Sequence, residues 1–164
     1  MTVTDQHPDL SGRRPFRGRV DEGLRSLLSR VRRFLAAEGV RAYLVGGFLR
    51  DVLLGRPTHD VDIAVEGDAL ELSRRLADAL GGSWVLLDAE NGVGRAVLTT
   101  DSGLRLYLDL SRFEGDIRDD LARRDFTANA LAAPLEEADA HLASALIDPL
   151  GGRRDIEARV LRAT

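Results

Sequence analysis

The sequence predicts an α/β (α+β) fold, and three observations carry that reading. Apolar residues recur at helical spacing from Val20 to Leu35 and again from Leu72 to Leu80. Five segments rich in strand formers lie between and after these stretches. The first of those segments runs through a glycine pair into a further helical pattern, a strand, glycine turn, helix unit. At 164 residues the chain has room for one sizeable core, so a single compact unit over residues 20–164 is expected.

The elements follow in order. Residues 1–19 (MTVTDQHPDLSGRRPFRGR) mix Pro, Gly, Arg and Asp without an apolar period and read as a flexible leader. Val20, Leu24, Leu27, Leu28, Val31, Phe34 and Leu35 then predict an amphipathic helix that Gly39 ends. AYLV at 42–45 predicts a short strand, and Gly46-Gly47 turns it into a helix through Phe48, Leu49, Val52 and Leu53 to Gly55. HDVDIAV at 59–65 predicts a second strand. Asp68 is placed to cap the next helix, with Glu71 as a partial capping box and Leu72, Leu76 and Leu80 on the buried side.

WVLLD at 84–88, RAVLTT at 95–100 and LRLYLDL at 104–110 predict strands, the last two joined through a hairpin turn at Asp101, Ser102 and Gly103. Helical spacing returns from Asp116 to about Ala133, with a break near Asp125. A short strand at Ala145 to Ile147, a Gly151-Gly152 turn and a last short helix or strand complete the reading.

The totals exclude some classes of function. No apolar run approaches the roughly 20 residues that span a bilayer, so a soluble protein with no membrane partner is expected. There is no apolar secretory core and no cysteine, which leaves neither a disulfide framework nor a thiolate metal site and makes a cytoplasmic location the expectation. A formal charge of −4 argues against a free-standing nucleic-acid binder acting through its overall field.

The chemistry-bearing residues form a pattern. Side chains alternate along a strand, so Asp60 and Asp62 share one face while Val61 and Ile63 point to the other. Carboxylates roughly 7 Å apart repel by about 2 kcal/mol at an effective dielectric near 20, a cost that a bound divalent cation reverses. All-oxygen ligation favours magnesium or manganese. Taken alone, such a pair reads more readily as a solvated strand face.

Gly46 and Gly47 before a helix free backbone N–H groups to approach an anion, in the positive field of the helix start. Arg50 in the first turn can grip phosphate by paired hydrogen bonds, and Asp51 beside it can orient the arginine or cap backbone donors. A plain strand-to-helix connection has the same local appearance. The combination is more specific, because a phosphate cradle precedes a carboxylate pair on the next strand by about ten residues. Asp109 is a candidate third carboxylate for a two-metal site. Arg123, Arg124, Asp125 and Asn129 in ARRDFTANALA form a further polar cluster ahead of an apolar segment.

Three segments occur in a telling order: LVGGFLRDVLLGRPTHDVDIAVEGDA, DDLARRDFTANALA and DPLGGRRDIEARVLRA. Over about Val40 to the end, the chain resembles the head domain of the class II tRNA nucleotidyltransferases and bacterial poly(A) polymerases, the CCA-adding enzyme family. The resemblance implies the nucleotidyltransferase fold, a small mixed sheet of about five strands flanked by helices. It implies ATP or CTP and Mg2+ as ligands and an RNA 3′ end, that of tRNA, as acceptor. By the same resemblance Asp60 and Asp62 match metal-binding carboxylates, and Gly47 and Arg50 match residues that contact the triphosphate. Arg123, Arg124, Asp125 and Asn129 match a motif lying against the nucleotide sugar and phosphates. Asp148, Gly151, Gly152 and Asp155 match a motif near the junction of head and neck, with a structural role. Neck, body and tail regions of the family are not found in the 164 residues, so very weak extension of tRNA by this piece alone is expected. Transfer to a small acceptor and a catalytically idle nucleotide-binding head remain the alternatives.

Overall fold

A computed structural model describes residues 22–138 and 142–164; the expected leader and Val20 lie outside the described residues. Strand alternation decides how the sheet is used. In β2 (Asp60–Glu66) Val61, Ile63 and Val65 are fully buried, whereas Asp60 is exposed and Asp62 only partly covered. In β5 (Arg105–Phe113) Leu106, Leu108 and Leu110 are buried in the same alternating manner. The two strands are parallel neighbours at the centre of a six-stranded mixed sheet. The other strands are β1 (Ala42–Val45), β3 (Ser83–Asp88), β4 (Val93–Thr99) and β6 (Ala132–Pro134), in the order β3-β4-β5-β2-β1-β6.

One sheet face carries the main core. The buried stripe of α1 (Glu22–Ala37), formed by Leu24, Leu27, Leu28, Val31 and Leu35, joins Leu72 and Leu76 of α3 (Ala69–Leu80) against Val61, Ile63, Leu106, Leu108 and Leu110. At about 1.5–3 kcal/mol for each large apolar side chain removed from water, this face supplies most of the driving force. At one end of the opposite face Val45, Ala64 and Phe113 pack with Ile117 and Leu121 of α4 (Ile117–Leu121). The other end of that face bears Asp60, Asp62 and Asp109.

Local signals behave as chemistry dictates. Asp68 caps α3 by accepting the Glu71 N–H at 3.1 Å, but the Glu71 carboxylate turns to Arg74 and leaves the capping box half formed. The hairpin between β4 and β5 closes through Gly103 N–H to Thr100 O at 2.9 Å.

Two expectations need correction. The mixed sheet, expected with about five strands, has six among the described residues, and β6 lies in the stretch whose spacing predicts helix up to Ala133. That stretch divides into α4, a single 3-10 turn at Thr127–Asn129 and β6. Leu131, Ala132 and Ala133 are fully buried on all sides, so their apolar pattern carries no period that separates helix from strand. The strand expected at 145–147 reduces to one bridge, in which Ile147 and Ala132 exchange backbone hydrogen bonds of 2.7 and 3.0 Å. The last element is a helix, α5 (Gly152–Ala158).

Candidate functional site

The site begins where β1 ends. Val45 is extended, Gly46 takes a left-handed φ of 62°, and α2 (Gly46–Leu54) follows at once. Gly46 donates its N–H to Leu131 O at 3.2 Å, which ties the turn to the segment ahead of β6. The Phe48 N–H, still in the first turn, donates to Asp62 Oδ2 at 3.3 Å. Strand β2 therefore presents a carboxylate to the start of the helix that leaves β1. A Cβ added at Gly46 would stand 3.1 Å from Arg124 Nη1 and 3.5 Å from Asp62 Oδ2, and one at Gly47 would stand 3.5 Å from both Asp62 Oδ2 and Arg50 Nη2. The glycine pair thus sits between a carboxylate and two guanidinium groups, with backbone where a side chain would fill the space.

Two acidic residues flank Asp62 on its own sheet face. Asp60 is two residues earlier on β2, and Asp109 is the register partner of Asp62 across β5. Burial pushes the Asp62 carboxyl above the usual range, the Phe48 N–H opposes that shift, and the neighbouring charges of Asp109 and Asp60 add to it. Oxygen donors with an excess of negative charge suit a hard divalent cation, which Asp60 and Asp62 could hold between them. Asp109 is engaged elsewhere: Arg95 of β4 holds it by a fork of Nε to Oδ1 at 2.6 Å and Nη2 to Oδ2 at 2.8 Å. Among the described residues no three acidic or histidine side chains converge closely enough to grip one ion.

A braced arginine lies on the other side of the glycines. Arg50 donates from Nε to Asp51 Oδ1 at 3.1 Å and from Nη1 to Asn129 Oδ1 at 2.8 Å. Asn129 in turn donates from Nδ2 to Asp125 Oδ1 at 3.1 Å. That bond is the main reason the Asp125 carboxyl lies below the usual range. Arg124 is held by Asp120 at 3.0 Å, four residues back on the same turn. Arg123 stands apart, with its side chain 67% exposed and only a 3.8 Å contact to Asp120. It lines a separate cleft of about 640 Å³ with Asn91, Arg112, Phe113, Glu114, Asp119 and Ala122.

The third sequence motif is the scaffold behind this segment. Asp148 accepts the N–H groups of Gly152 and Arg153 at 2.7 and 3.0 Å and so starts α5. A Cβ at Gly152 would lie 2.0 Å from Thr127 O, so only glycine lets α5 approach. Asp155, 5% exposed, accepts from the Thr127 hydroxyl at 2.7 Å and from Arg162 at 3.1 and 3.2 Å. Residues 162–164 run beside 125–127, with Thr127 N–H donating to Arg162 O and Thr164 N–H to Asp125 O.

Of the residues singled out from sequence, Gly46, Gly47, Arg50, Asp62, Arg124 and Asn129 come together around one turn, with Asp51 and Asp125 as braces. Asp60 and Asp109 share the Asp62 face, and Arg123 does not join the cluster. Sequence reasoning missed Arg95 and Asp120. Asp120 carried a signal, four residues before Arg124 at helical spacing; Arg95 carried none, because its pairing depends on strand register.

Comparison with known proteins gives the family of the chain. The family model described as Poly A polymerase head domain matches residues 42–162. A CC-adding tRNA nucleotidyltransferase of Geobacter sulfurreducens is 43% identical over 125 residues, covering 76% of this chain and 27% of that protein. An A-adding tRNA nucleotidyltransferase of Aquifex aeolicus is 38% identical over 136 residues, covering 75% of this chain and 16% of that protein. Among solved structures, a CCA-adding enzyme of Thermotoga maritima complexed with tRNA is similar with a TM-score of 0.73 and 38% identity, over 90% of this chain and 34% of that one. A CCA-adding enzyme with CTP gives a TM-score of 0.74 and 36% identity, over 90% of this chain and 35% of that one. The chain spans about a third or less of the length of each of these proteins.

Proposed function

The chain belongs to the poly(A) polymerase head domain family, and from that premise we propose that it is the head of a template-independent RNA nucleotidyltransferase. In this reading CMP or AMP passes from CTP or ATP to the 3′-hydroxyl of an RNA, that of tRNA. The observation that carries it is the meeting of Asp62 with the Gly46-Gly47 turn, where Phe48 N–H reaches the carboxylate at 3.3 Å and Arg50 and Arg124 close the other side.

The residues divide the work. The glycine turn leaves room for phosphate oxygens close to the backbone at the start of α2, in the positive field of the helix start. Arg50, aimed by Asp51 and Asn129, holds charge on the departing β and γ phosphates, and Arg124 faces the same turn. Asp60 and Asp62 would hold divalent ions, Mg2+ in this reading, with Asp109 as the third carboxylate. When bound, such ions lower the pKa of the attacking hydroxyl and offset charge on the phosphoryl group. A new bond forms between the RNA 3′-oxygen and the α-phosphorus, the α–β bridging bond breaks, pyrophosphate leaves, and the hydroxyl proton passes to solvent. Little covalent work falls to the protein, so positioning and charge supply the rate.

The test is calorimetric binding of ATP and CTP with Mg2+, comparing the unaltered chain with Asp60→Ala plus Asp62→Ala. Metal-dependent binding in the former and its loss in the latter is expected. Equal metal-dependent binding in both rejects the reading. These 164 residues tested alone are expected to extend tRNA very weakly, because a head without a body to hold the acceptor forgoes a proximity advantage on the order of 7 kcal/mol. Robust extension would overturn that expectation.

A further inference from the structure

We infer that Arg95 competes with a divalent cation for Asp109, holding that carboxylate away from Asp60 and Asp62 until the cation draws it across. The inference rests on reading the Asp60 and Asp62 face as a metal site.

Three strands place the participants in one line. Arg95 on β4 is the register partner of Asp109 on β5, and Asp109 is the register partner of Asp62 on β2. Neighbouring strands lie roughly 4.8 Å apart, so Asp109 has a guanidinium on one side and a carboxylate on the other. Its two oxygens are both taken by the Arg95 fork, at 2.6 and 2.8 Å. The same guanidinium lies 5.0 Å from the centre of the Tyr107 ring, and Tyr107 is the register partner of Asp60. Arg95 is therefore fixed over the acidic face by a fork and a ring.

The pairing has a chemical consequence. Three carboxylates side by side on a half-covered face repel one another, and Arg95 removes the charge of one of them. In this inference a cation at Asp60 and Asp62 would take Asp109 as a third oxygen ligand, with Asp109 turning toward Asp62 and giving up the Arg95 fork. Asp109 then exchanges one positive partner for another and stays neutralised throughout. Arg95 acts through Asp109 and is a positioning residue.

The experiment is a double-mutant cycle on Mn2+ affinity, read from the free-ion electron paramagnetic resonance signal, using Arg95→Gln, Asp109→Asn and both. Arg95→Gln is expected to tighten Mn2+ binding roughly three- to tenfold, within the coupling range of contacting charged side chains. In the Asp109→Asn background the same change should alter affinity by less than about twofold. An equal change in both backgrounds, or weaker binding in Arg95→Gln, overturns the inference. A readout on the unaltered protein does not depend on the variants folding: the Arg95 Nε–H resonance should move on titration with Mg2+, and an unmoved resonance at saturation also overturns it. Asp60→Ala plus Asp62→Ala separates the two levels, since undiminished Mn2+ binding there removes the metal-face reading itself.

Discussion

Arg50 and Asn129, 79 positions apart in the chain, are joined by a hydrogen bond of 2.8 Å from Nη1 to Oδ1. The bond links the helix that leaves β1 to the 3-10 turn before β6, and it aims a guanidinium across the glycine turn. Because Asp51 holds the same guanidinium from the other side, the arginine is oriented before any ligand arrives.

This bracing predicts a graded loss of nucleotide affinity. Asn129→Ala removes one brace and leaves Asp51, and is expected to weaken ATP binding by about fivefold, the equivalent of a hydrogen bond worth about 1 kcal/mol. Arg50→Lys keeps the charge and loses the fork, and is expected to weaken it by about tenfold or more. Calorimetry with Mg2+ present ranks the two, and an Asn129→Ala protein that binds as tightly as the unaltered chain would show the brace to be idle.

The two adjacent glycines are expected to fail in different ways. Gly46 has a φ of 62° and a space limited by Arg124 Nη1 at 3.1 Å, so Gly46→Ala adds backbone strain of about 1–2 kcal/mol and crowds the arginine. At roughly 2–4 °C for each kcal/mol in a chain of this size, a fall of several degrees in Tm follows. Gly47 meets ordinary contacts at 3.5 Å, so Gly47→Ala should stay within about 0.5 kcal/mol in stability, yet its methyl group fills the gap between Arg50 and Asp62. Thermal melts and nucleotide titrations on both variants should show stability lost in the first and mainly binding lost in the second.

Acid should loosen the scaffold of the Thr127 segment before it unfolds the sheet. Arg162 and the Thr127 hydroxyl hold the Asp155 carboxyl below its usual range. A carboxyl depressed in the folded state contributes stability that is fully present above its unfolded pKa of about 3.9 and fades as pH falls through the lower folded value. The loss therefore belongs below about pH 4. Asp155→Asn should remove that part of the acid dependence and lower Tm at neutral pH. Amide exchange at Thr127 and Thr164, which lie on the clamp, is the measurement. Identical acid profiles for the two proteins would count against the clamp.

The legibility of the fold followed the strength of local signals. The stripe of α1, the Asp68 cap, the alternation in β2 and the glycine turn are written within a few residues of chain, and each is present in the structure. The helix from Ile117 was legible, but the segment from 127 to 134 was not, because the buried run through Ala130, Leu131, Ala132 and Ala133 hides the difference between helix and strand. What made β6 a strand was the free edge of β1, to which Ala132, Ala133 and Pro134 pair.

The sequence alone determined that a glycine turn, an Asp-x-Asp strand and an arginine-rich motif belong to one chain, and strand alternation was enough to put Asp60 and Asp62 on a common face. Tertiary structure decided which of those groups meet. Asp62 reaches the Phe48 N–H because β1 and β2 are antiparallel neighbours, and Asp109 lies beside Asp62 and faces Arg95 because β5 is inserted between β2 and β4. Register between strands is set by the packing of the whole sheet, and no short window of residues contains it.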